Sequence, residues 1–386
     1  MSTLTPPAGQ MDRLIVHQFD LARPSPGGID TCHRGLLKYL PDGMQVAVVG
    51  VDTGSGPRNR RLGRWEQHRL GGTGFWFLPV ARLDPADQAR RVPHSVRLLA
   101  GLLRYRSRIP AARLVQVHRM DSALVLRAIF LRPQAYFIHT QAEGLTGRTS
   151  DSFWRYAGRL HGALERRVVR SARNVTVFNE DYAQVVKTWN SAAEFSPTWY
   201  DPALVQPQDA ARDRYKVVWT GRLEVPKDPE LAVRSFAELA LARPHEPWSL
   251  DVLGDGTLMP ALEDLVSALP GEVRRRVALR GRVAPADVAR TMGTAGTFLM
   301  TSHPGYEGYA RVLVEAMASG LPPVVTFGSD TGRLVEDGLT GFVCSRPAQA
   351  IAARLAGSGA IDRARVGARP LSRPLARGPQ TYRRHP

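Results

Sequence analysis

Four side chains in the second half of the sequence have the types and spacing for chemistry on a phosphorylated, hydroxyl-rich molecule: Arg222, Lys227, Glu307 and Glu315. Arg222 and Lys227 lie in GRLEVPKD, directly after the apolar run KVVWTG, on a stretch that Gly221 and Pro226 shape. Two cations on one short loop can neutralise a diphosphate as it leaves, and arginine adds a planar fork for phosphate oxygens. A surface loop with two solvated charges has the same composition, so the loop alone does not decide. The carboxylates come from HPGYEGYARVLVEAMASGLPPVV, where Gly305 and Gly308 flank Glu307 on a loop. A helix is predicted from about Ala310, ended by Gly320 and Pro322. Glu315 then sits among Val312, Leu313, Val314, Ala316 and Met317, where a carboxylate needs partners. Two vicinal ribose hydroxyls would satisfy it, and the backbone amides from Gly308 through Tyr309 and Ala310 to Arg311 could hold a phosphate. A water-facing glutamate on an amphipathic helix gives the same pattern.

Two further glycine turns accompany these groups. In LGDGTLMPALEDL, Gly254 and Gly256 separate an apolar run from a predicted helix whose free amides could meet an anion or a base edge. Glycine turns of that kind are also common in any βα fold. GSDTGRLVEDGLTGFV reads as a turn, a short helix and a second turn that could close over the far side of the same ligand. In the first half, SPGGID places Gly27 and Gly28 after the first apolar run, where backbone could approach a phosphate or sugar, or simply flex. His118 ends LVQVH and His139 ends AYFIHT, so both are expected to point into one cleft at the carboxyl edge of a sheet.

The elements that must position these residues follow from periodicity. Short β-branched and aromatic runs, from RLIVHQF and MQVAVVGV through FWFLPV, LVQVH, AYFIHT and NVTVFN, alternate with stretches of helical period. A second series runs from KVVWTG through WSLDVLG, VALRG, GTFLMTS and PPVVTF. The expected class is α/β, with two Rossmann-like doubly wound domains facing a central cleft. SPTWYDPALVQPQDAARD, with three prolines and little periodicity, suits a connector. The expected division is 1–200 on the acceptor side, 201–355 on the donor side, and a basic Pro/Arg-rich tail over 356–386. The helix expected over 153–172 carries Ala157, Leu160, Leu164 and Val168 on one face and arginines largely elsewhere. Such basic helices could touch anionic lipid head groups or a polyprenyl-phosphate acceptor, although a solvated face is the simpler account.

Taken in order, GRLEVPKD, LGDG, EGYARVLVEAMASG and VEDGLTGFV resemble the donor domain of retaining GT-B glycosyltransferases of family four, the group 1 glycosyl transferases, over about residues 216–345. The resemblance implies that Arg222 and Lys227 contact the donor diphosphate, Glu315 the ribose, and Glu307 and His139 the transferred sugar. It implies a retaining, metal-independent transfer with no required cofactor, from a UDP- or GDP-sugar to a carbohydrate or polyprenyl-linked acceptor. Cell-envelope or exopolysaccharide synthesis is the expected setting. The absence of an Asp-x-Asp motif agrees with metal independence. Ala310 and Arg311 depart from the commonest pattern, which has glycine and a small or apolar residue there. A nucleotide-sugar epimerase or a phosphorylase on the same fold is the alternative reading.

Composition bounds the rest. The chain has 386 residues and a formal charge of +17, almost wholly from arginine, since Lys38, Lys187, Lys216 and Lys227 are its lysines. So basic a chain raises a nucleic-acid-binding alternative, but no nucleic-acid module is recognisable and aromatic residues do not interleave with basic ones. Cys32 and Cys344 are too few and too far apart for a disulfide framework or a metal cluster, which favours a reducing compartment. The start lacks a basic segment followed by an apolar run, and no stretch approaches eighteen apolar residues. A cytoplasmic protein, peripheral at most at the inner face of the membrane, is the expectation.

Overall fold

Val/Ile/Leu-rich runs covered on both faces form the strands, and the computed structural model buries them accordingly: Val46–Asp52 is buried at every position. The structure describes residues 10–24, 28–83, 94–129, 132–139, 158–207 and 212–368. These residues gather into two compact units, one holding 10–139 and 158–196, the other holding 197–368.

The first unit is an eight-stranded sheet of β1 (Met11–Val16), β2 (Val46–Asp52), β3 (Glu66–Leu70), β4 (Thr73–Arg82), β5 (Ala112–Val117), β6 (Gln134–Ile138), β7 (Asn174–Val177) and β8 (Ala193–Phe195). Its order is β3-β4-β2-β1-β5-β6-β7-β8. All pairings are parallel except β3 with β4. The strand order reverses between β1 and β5, which places a crevice beyond Val16 and Val117. The polar run EQHRL was not expected as a strand; it pairs at the edge because Gly71, at φ 64°, turns the chain back onto β4. Helices α1 (Gly28–Lys38), α2 (His94–Arg104), α3 (Met120–Ile129), α4 (Gly158–Ser171) and α5 (Glu180–Lys187) complete the unit.

Helix α4 corrects one expectation. Leu160 is 56% exposed, whereas His161, Glu165, Val168 and Val169 are buried. Spacings of four, seven and eight residues define that face, and Glu165 is tolerated on it because the Tyr182 hydroxyl donates to its Oε2 at 2.7 Å. Residues 153–157 lie outside the described residues.

In the second unit, β9 (Asp213–Thr220), β10 (Ser249–Leu253), β11 (Val277–Leu279), β12 (Ala295–Met300), β13 (Pro323–Thr326) and β14 (Phe342–Cys344) pair in parallel in the order β11-β10-β9-β12-β13-β14. This is the 3-2-1-4-5-6 order of dinucleotide-binding folds, with its reversal between β9 and β12. The helices are α6 (Pro229–Ala242), α7 (Met259–Ser267), α8 (Gly271–Arg274), α9 (Pro285–Thr294), α10 (Arg311–Ala318), α11 (Ala348–Gly357) and α12 (Arg363–Ala368). One core layer packs Val233 and Phe236 of α6 with Trp219, Leu250 and Ile351. The other packs Leu313, Val314 and Met317 of α10 with Val218, Phe298 and Val325. Ile361 and Val366 join that second layer, so the folded unit runs past residue 355, where a tail was expected, to at least Ala368. Residues 369–386 lie outside the described residues.

A buried arginine locks the first unit's edge. Arg60, its side chain 2% exposed, donates to Asp20 Oδ1 at 2.9 Å and to both oxygens of Glu66 at 2.9 and 3.0 Å. Burial alone would raise the Asp20 carboxyl, but bonds from Thr53, Ala22 and Arg60 outweigh it and hold it below its ordinary value. Removing the cation strands two carboxylates. Arg60→Met is therefore expected to cost about 3–5 kcal/mol, read as a lowered urea midpoint.

Candidate functional site

At the strand-order reversal of the second unit, the loops after β9 and β12 are tied together by side chains. Lys227 ends a one-turn helix, Val225–Lys227, and Asp228 follows in the left-handed region at φ 47°, where its carboxylate caps α6 by accepting from the Leu231 amide at 3.1 Å. The buried hydroxyl of Thr301, just past β12, accepts from Trp219 Nε1 at 3.0 Å and donates to the Asp228 carbonyl at 2.7 Å. Arg346 donates to the carbonyls of Thr301 and Ser302, each at 3.1 Å, and pairs with the Asp228 carboxylate. The His303 amide bonds Pro226 O at 2.9 Å. The cation-bearing loop is thus fixed to the neighbouring strand end.

Three of the four chemically suited side chains, Arg222, Lys227 and Glu307, meet there, while Glu315 pairs with Arg311 on α10. Lys227 Nζ is paired with Glu307 Oε1, which also accepts from Ser302 Oγ at 2.7 Å. Arg222 Nη2 donates to the Tyr306 hydroxyl at 2.8 Å, and Lys227 Nζ lies 5.8 Å from the centre of the Tyr306 ring. Glu307 stands on the loop and Glu315 inside α10, as expected from the glycine and apolar spacing. Arg311 donates twice to Glu315 Oε1, from Nε at 2.8 Å and Nη2 at 2.7 Å. Both bonds fall on one oxygen, which leaves Oε2 to accept from a ligand. Ala310 begins α10 with no side-chain cap, so no capping side chain takes the first-turn amides. The GSDTG turn braces this loop, since Thr331 Oγ1 donates to Gly308 O at 3.0 Å and Tyr309 packs against Gly332.

Gly254 and Gly256 serve differently from the expectation. Helix α7 begins only at Met259, the Gly254 amide donates to Gly281 O at 2.8 Å, and the Gly256 amide donates to Asp255 Oδ1 at 2.8 Å. Neither amide is offered to an anion. Their hydrogens instead make room for the Arg222 loop: a Cβ on Gly254 would lie 1.8 Å from Gly221 O, and one on Gly256 2.4 Å from Leu223 O.

Residues 214–357 match the family described as "Glycosyl transferases group 1". That match covers somewhat over a third of the chain. Over 128 residues the chain is 32% identical to mannosylfructose-phosphate synthase of Agrobacterium fabrum, covering 32% of this chain and 27% of that one. Over 131 residues it is 29% identical to α-D-kanosaminyltransferase of Streptomyces kanamyceticus, covering 34% and 32%. The matched stretch thus spans about a third or less of these curated relatives. In structure, sucrose-phosphate synthase from Thermosynechococcus elongatus aligns with a TM-score of 0.69 at 18% identity over 92% of each chain. Anabaena HepE in complex with UDP and glucose aligns with a TM-score of 0.62 at 17% identity, over 93% of this chain and 94% of that one. These likenesses identify the GT-B fold of two Rossmann-like domains.

Outside the matched residues, the reversal point of the first sheet carries a cluster of imidazoles. His17 follows β1, His33 lies on α1, and His118 and His139 follow β5 and β6. Ring centres are 4.7 Å apart for His17 and His33, 4.1 Å for His33 and His118, and 5.0 Å for His118 and His139. His118, expected to meet an acceptor, is buried, with its nitrogens 2.8 Å from Gln116 Nε2 and 2.7 Å from His139 Nε2. His139 is partly exposed and stacks on Phe178, with His118 at its Nε2 edge. Gly28 opens α1, and Gly27 lies outside the described residues. No group of three or more His, Cys, Asp or Glu among the described residues is arranged to hold a metal ion, this cluster included. Burial, then neighbouring charge, pushes His17 down to about 3 and His33 and His118 well below the ordinary value, and burial alone pushes His139 to about 3.

Sequence reading missed Asp228, Thr301, Ser302, Tyr306 and Arg346 on the donor side, and His17, His33 and Gln116 on the other. Position at a strand end was a usable signal for Thr301, Ser302 and His17, as it was for His118. Arg346 had none, because its partners come from loops more than forty residues away.

Two outcomes follow from this geometry. Gly254→Ala is expected to lower stability by more than about 3 kcal/mol, since both its φ of 148° and the Gly221 carbonyl oppose a side chain; a melting scan checks this. The imidazoles make a separate prediction. Below 6.5 the unfolded chain takes up protons that the folded histidines refuse, so stability is full above that pH and falls as pH drops toward 3. Each group contributes up to about 1.4 kcal/mol per pH unit. The carboxylates held low, such as half-buried Glu66, add to the loss only near and below 4.5. Melting temperature should therefore already fall between 6.5 and about 5, with a shallower slope in His33→Asn.

Proposed function

We propose that the protein is a retaining, metal-independent glycosyltransferase that moves a hexose from a UDP- or GDP-sugar to a carbohydrate or polyprenyl-linked acceptor in cell-envelope or exopolysaccharide synthesis. The observation that carries this reading is the convergence of Arg222, Lys227 and Glu307 at the strand-order reversal of the residues that match the group 1 glycosyl transferases, with the Arg311–Glu315 pair on the helix that follows β12. Arg222 and Lys227 hold the donor diphosphate and neutralise it as the bond to the sugar breaks. Glu315 accepts from the ribose hydroxyls, and the first-turn amides of α10 together with Arg311 meet phosphate oxygens. Glu307 and His139 contact the transferred sugar. Because HepE aligns in complex with UDP and glucose, UDP-glucose is the first donor to test.

The pairing of these side chains fits this assignment. Lys227 is matched to Glu307 and Arg311 to Glu315, so neither buried charge stands alone. A diphosphate then draws Lys227 toward itself and frees Glu307 for sugar hydroxyls, placing new interactions where charge develops. The chain's net charge and basic helices suit an acceptor carrying phosphate at a membrane's inner face, and no described helix is long and apolar enough to cross one.

A thermal-shift panel of UDP, GDP, ADP and their hexose conjugates tests the class. UDP or GDP at about a hundred times its dissociation constant should stabilise the protein by about 2.7 kcal/mol. Stabilisation by RNA with no response to either nucleotide would overturn the proposal, and sugar epimerisation or phosphorolysis without transfer would replace it. Lys227→Ala and Glu307→Ala should each lower turnover about 10²–10³-fold with folded protein retained. Glu315→Ala should instead weaken nucleotide binding about tenfold. Unchanged turnover in all three would contradict the assigned roles.

A further inference from the structure

We propose that Arg13, Gln116 and His118 form a one-directional hydrogen-bond chain that fixes the proton of His139 on Nδ1, presenting an uncharged N–H donor at the carboxyl end of β6. The direction follows from what each group can do. Arg13 Nη1 lies 2.9 Å from Gln116 Oε1, and a guanidinium has no acceptor, so the amide must turn its oxygen toward Arg13. Its NH₂ then faces His118 Nε2 at 2.8 Å and can only donate. That nitrogen carries the lone pair, so the neutral ring holds its proton on Nδ1. His118 Nδ1 lies 2.7 Å from His139 Nε2, which must accept in turn, leaving the His139 proton on Nδ1.

The surroundings make this order persistent. Gln116 is fully buried, Arg13 is 4% exposed and His118 6%, so no water competes along the chain. Burial keeps both imidazoles neutral, which excludes the doubly protonated ring that would erase the order. Phe178, with ring centre at 4.5 Å and planes 23° apart, stacks on His139, while His118 meets its Nε2 edge nearly in plane, and together they hold the His139 ring. Among the described residues no acceptor meets His139 Nδ1, so the donor is available to an oxygen of a ligand. An uncharged donor suits a hydroxyl oxygen, as on a sugar, better than it suits a phosphate. Arg13, Gln116 and His118 are thus positioning residues acting through His139. Their effect on turnover rests on the transfer reading above; the proton order does not.

The test is NMR of the full chain labelled with ¹⁵N and ¹³C histidine, at pH 8, with His139 assigned by its loss in His139→Asn. Wild type should show His139 and His118 neutral with the proton on Nδ1. Gln116→Glu reverses the first link, because a carboxylate accepts from both Arg13 and His118, so both rings should move their protons to Nε2. Gln116→Met removes the link and should give mixed forms, which keeps the test decisive if the charged variant does not fold. His139 with its proton on Nε2 in wild type, or unchanged in both variants, overturns the proposal. If UDP-glucose is a donor, Gln116→Glu should lower kcat about tenfold with donor KM within about twofold. Reversed protons with unchanged kcat would overturn the positioning role. The expected proton order in a wild type that transfers no sugar would support the chain while refuting the transferase reading.

Discussion

One buried hydroxyl holds the donor-side site in place. Thr301 accepts from Trp219, a core residue of β9, and donates to the backbone carbonyl of Asp228 in the loop that follows β9. That link lets Asp228 persist in a left-handed conformation that costs a non-glycine residue about 1 kcal/mol. It also sets the height of Lys227 above the sheet. Arg346 reinforces the arrangement by bonding the carbonyls of Thr301 and Ser302 while pairing with Asp228. The next residue in the chain, Ser302, is bound to Glu307. Cation and carboxylate therefore reach the site from one connected frame, although they are eighty residues apart.

Strand order explains why this frame exists at all. At the reversal between β9 and β12 the connections leave toward opposite faces, so two neighbouring strand ends open without a crossing chain above them. Gly221, Gly254 and Gly256 let the loops after β9 and β10 pack backbone to backbone, which keeps the Arg222 loop low. The first sheet has the same reversal between β1 and β5, but its strand ends carry imidazoles where the second carries charged side chains. The difference is one of solvation. The charged pairs keep 11–17% side-chain exposure, enough to moderate the cost of dehydration. His33 and His118 at the centre of the imidazole cluster lie deeper, and burial disfavours their charged forms, so the rings can pack against one another.

Much of this was legible in sequence. The apolar runs and the glycine and proline punctuation gave two series of βα units, and the spacing from Gly305 to Gly320 placed Glu307 on a loop and Glu315 in a helix. Local pattern is sufficient for such features because each is set by neighbours within a few residues. It failed where partners are distant or where a side chain breaks the pattern of its element. β3 is polar and exists through pairing alone, and α4 buries His161 and Glu165 while exposing Leu160 because Tyr136 and Tyr182 supply hydroxyls from other elements. Gly254 and Gly256 showed the limit of reading a motif as a ligand cradle, since the same turn is required by the backbone of the adjacent loop.

The role of Arg311 follows from the same balance of local and distant demands. Arg311 stands at the start of α10, where the helix dipole disfavours positive charge by about 0.3–1 kcal/mol. It is accommodated by folding back one turn onto Glu315, which compensates both the dipole and the half-buried carboxylate. Its Nη1 is left buried without a hydrogen-bond partner, a deficit that an arriving phosphate oxygen would remove. If the proposed donor binds here, phosphate at Nη1 and ribose at Glu315 Oε2 can add to the Arg311–Glu315 pair without breaking either of its bonds, so the pair holds both groups ready before the donor arrives.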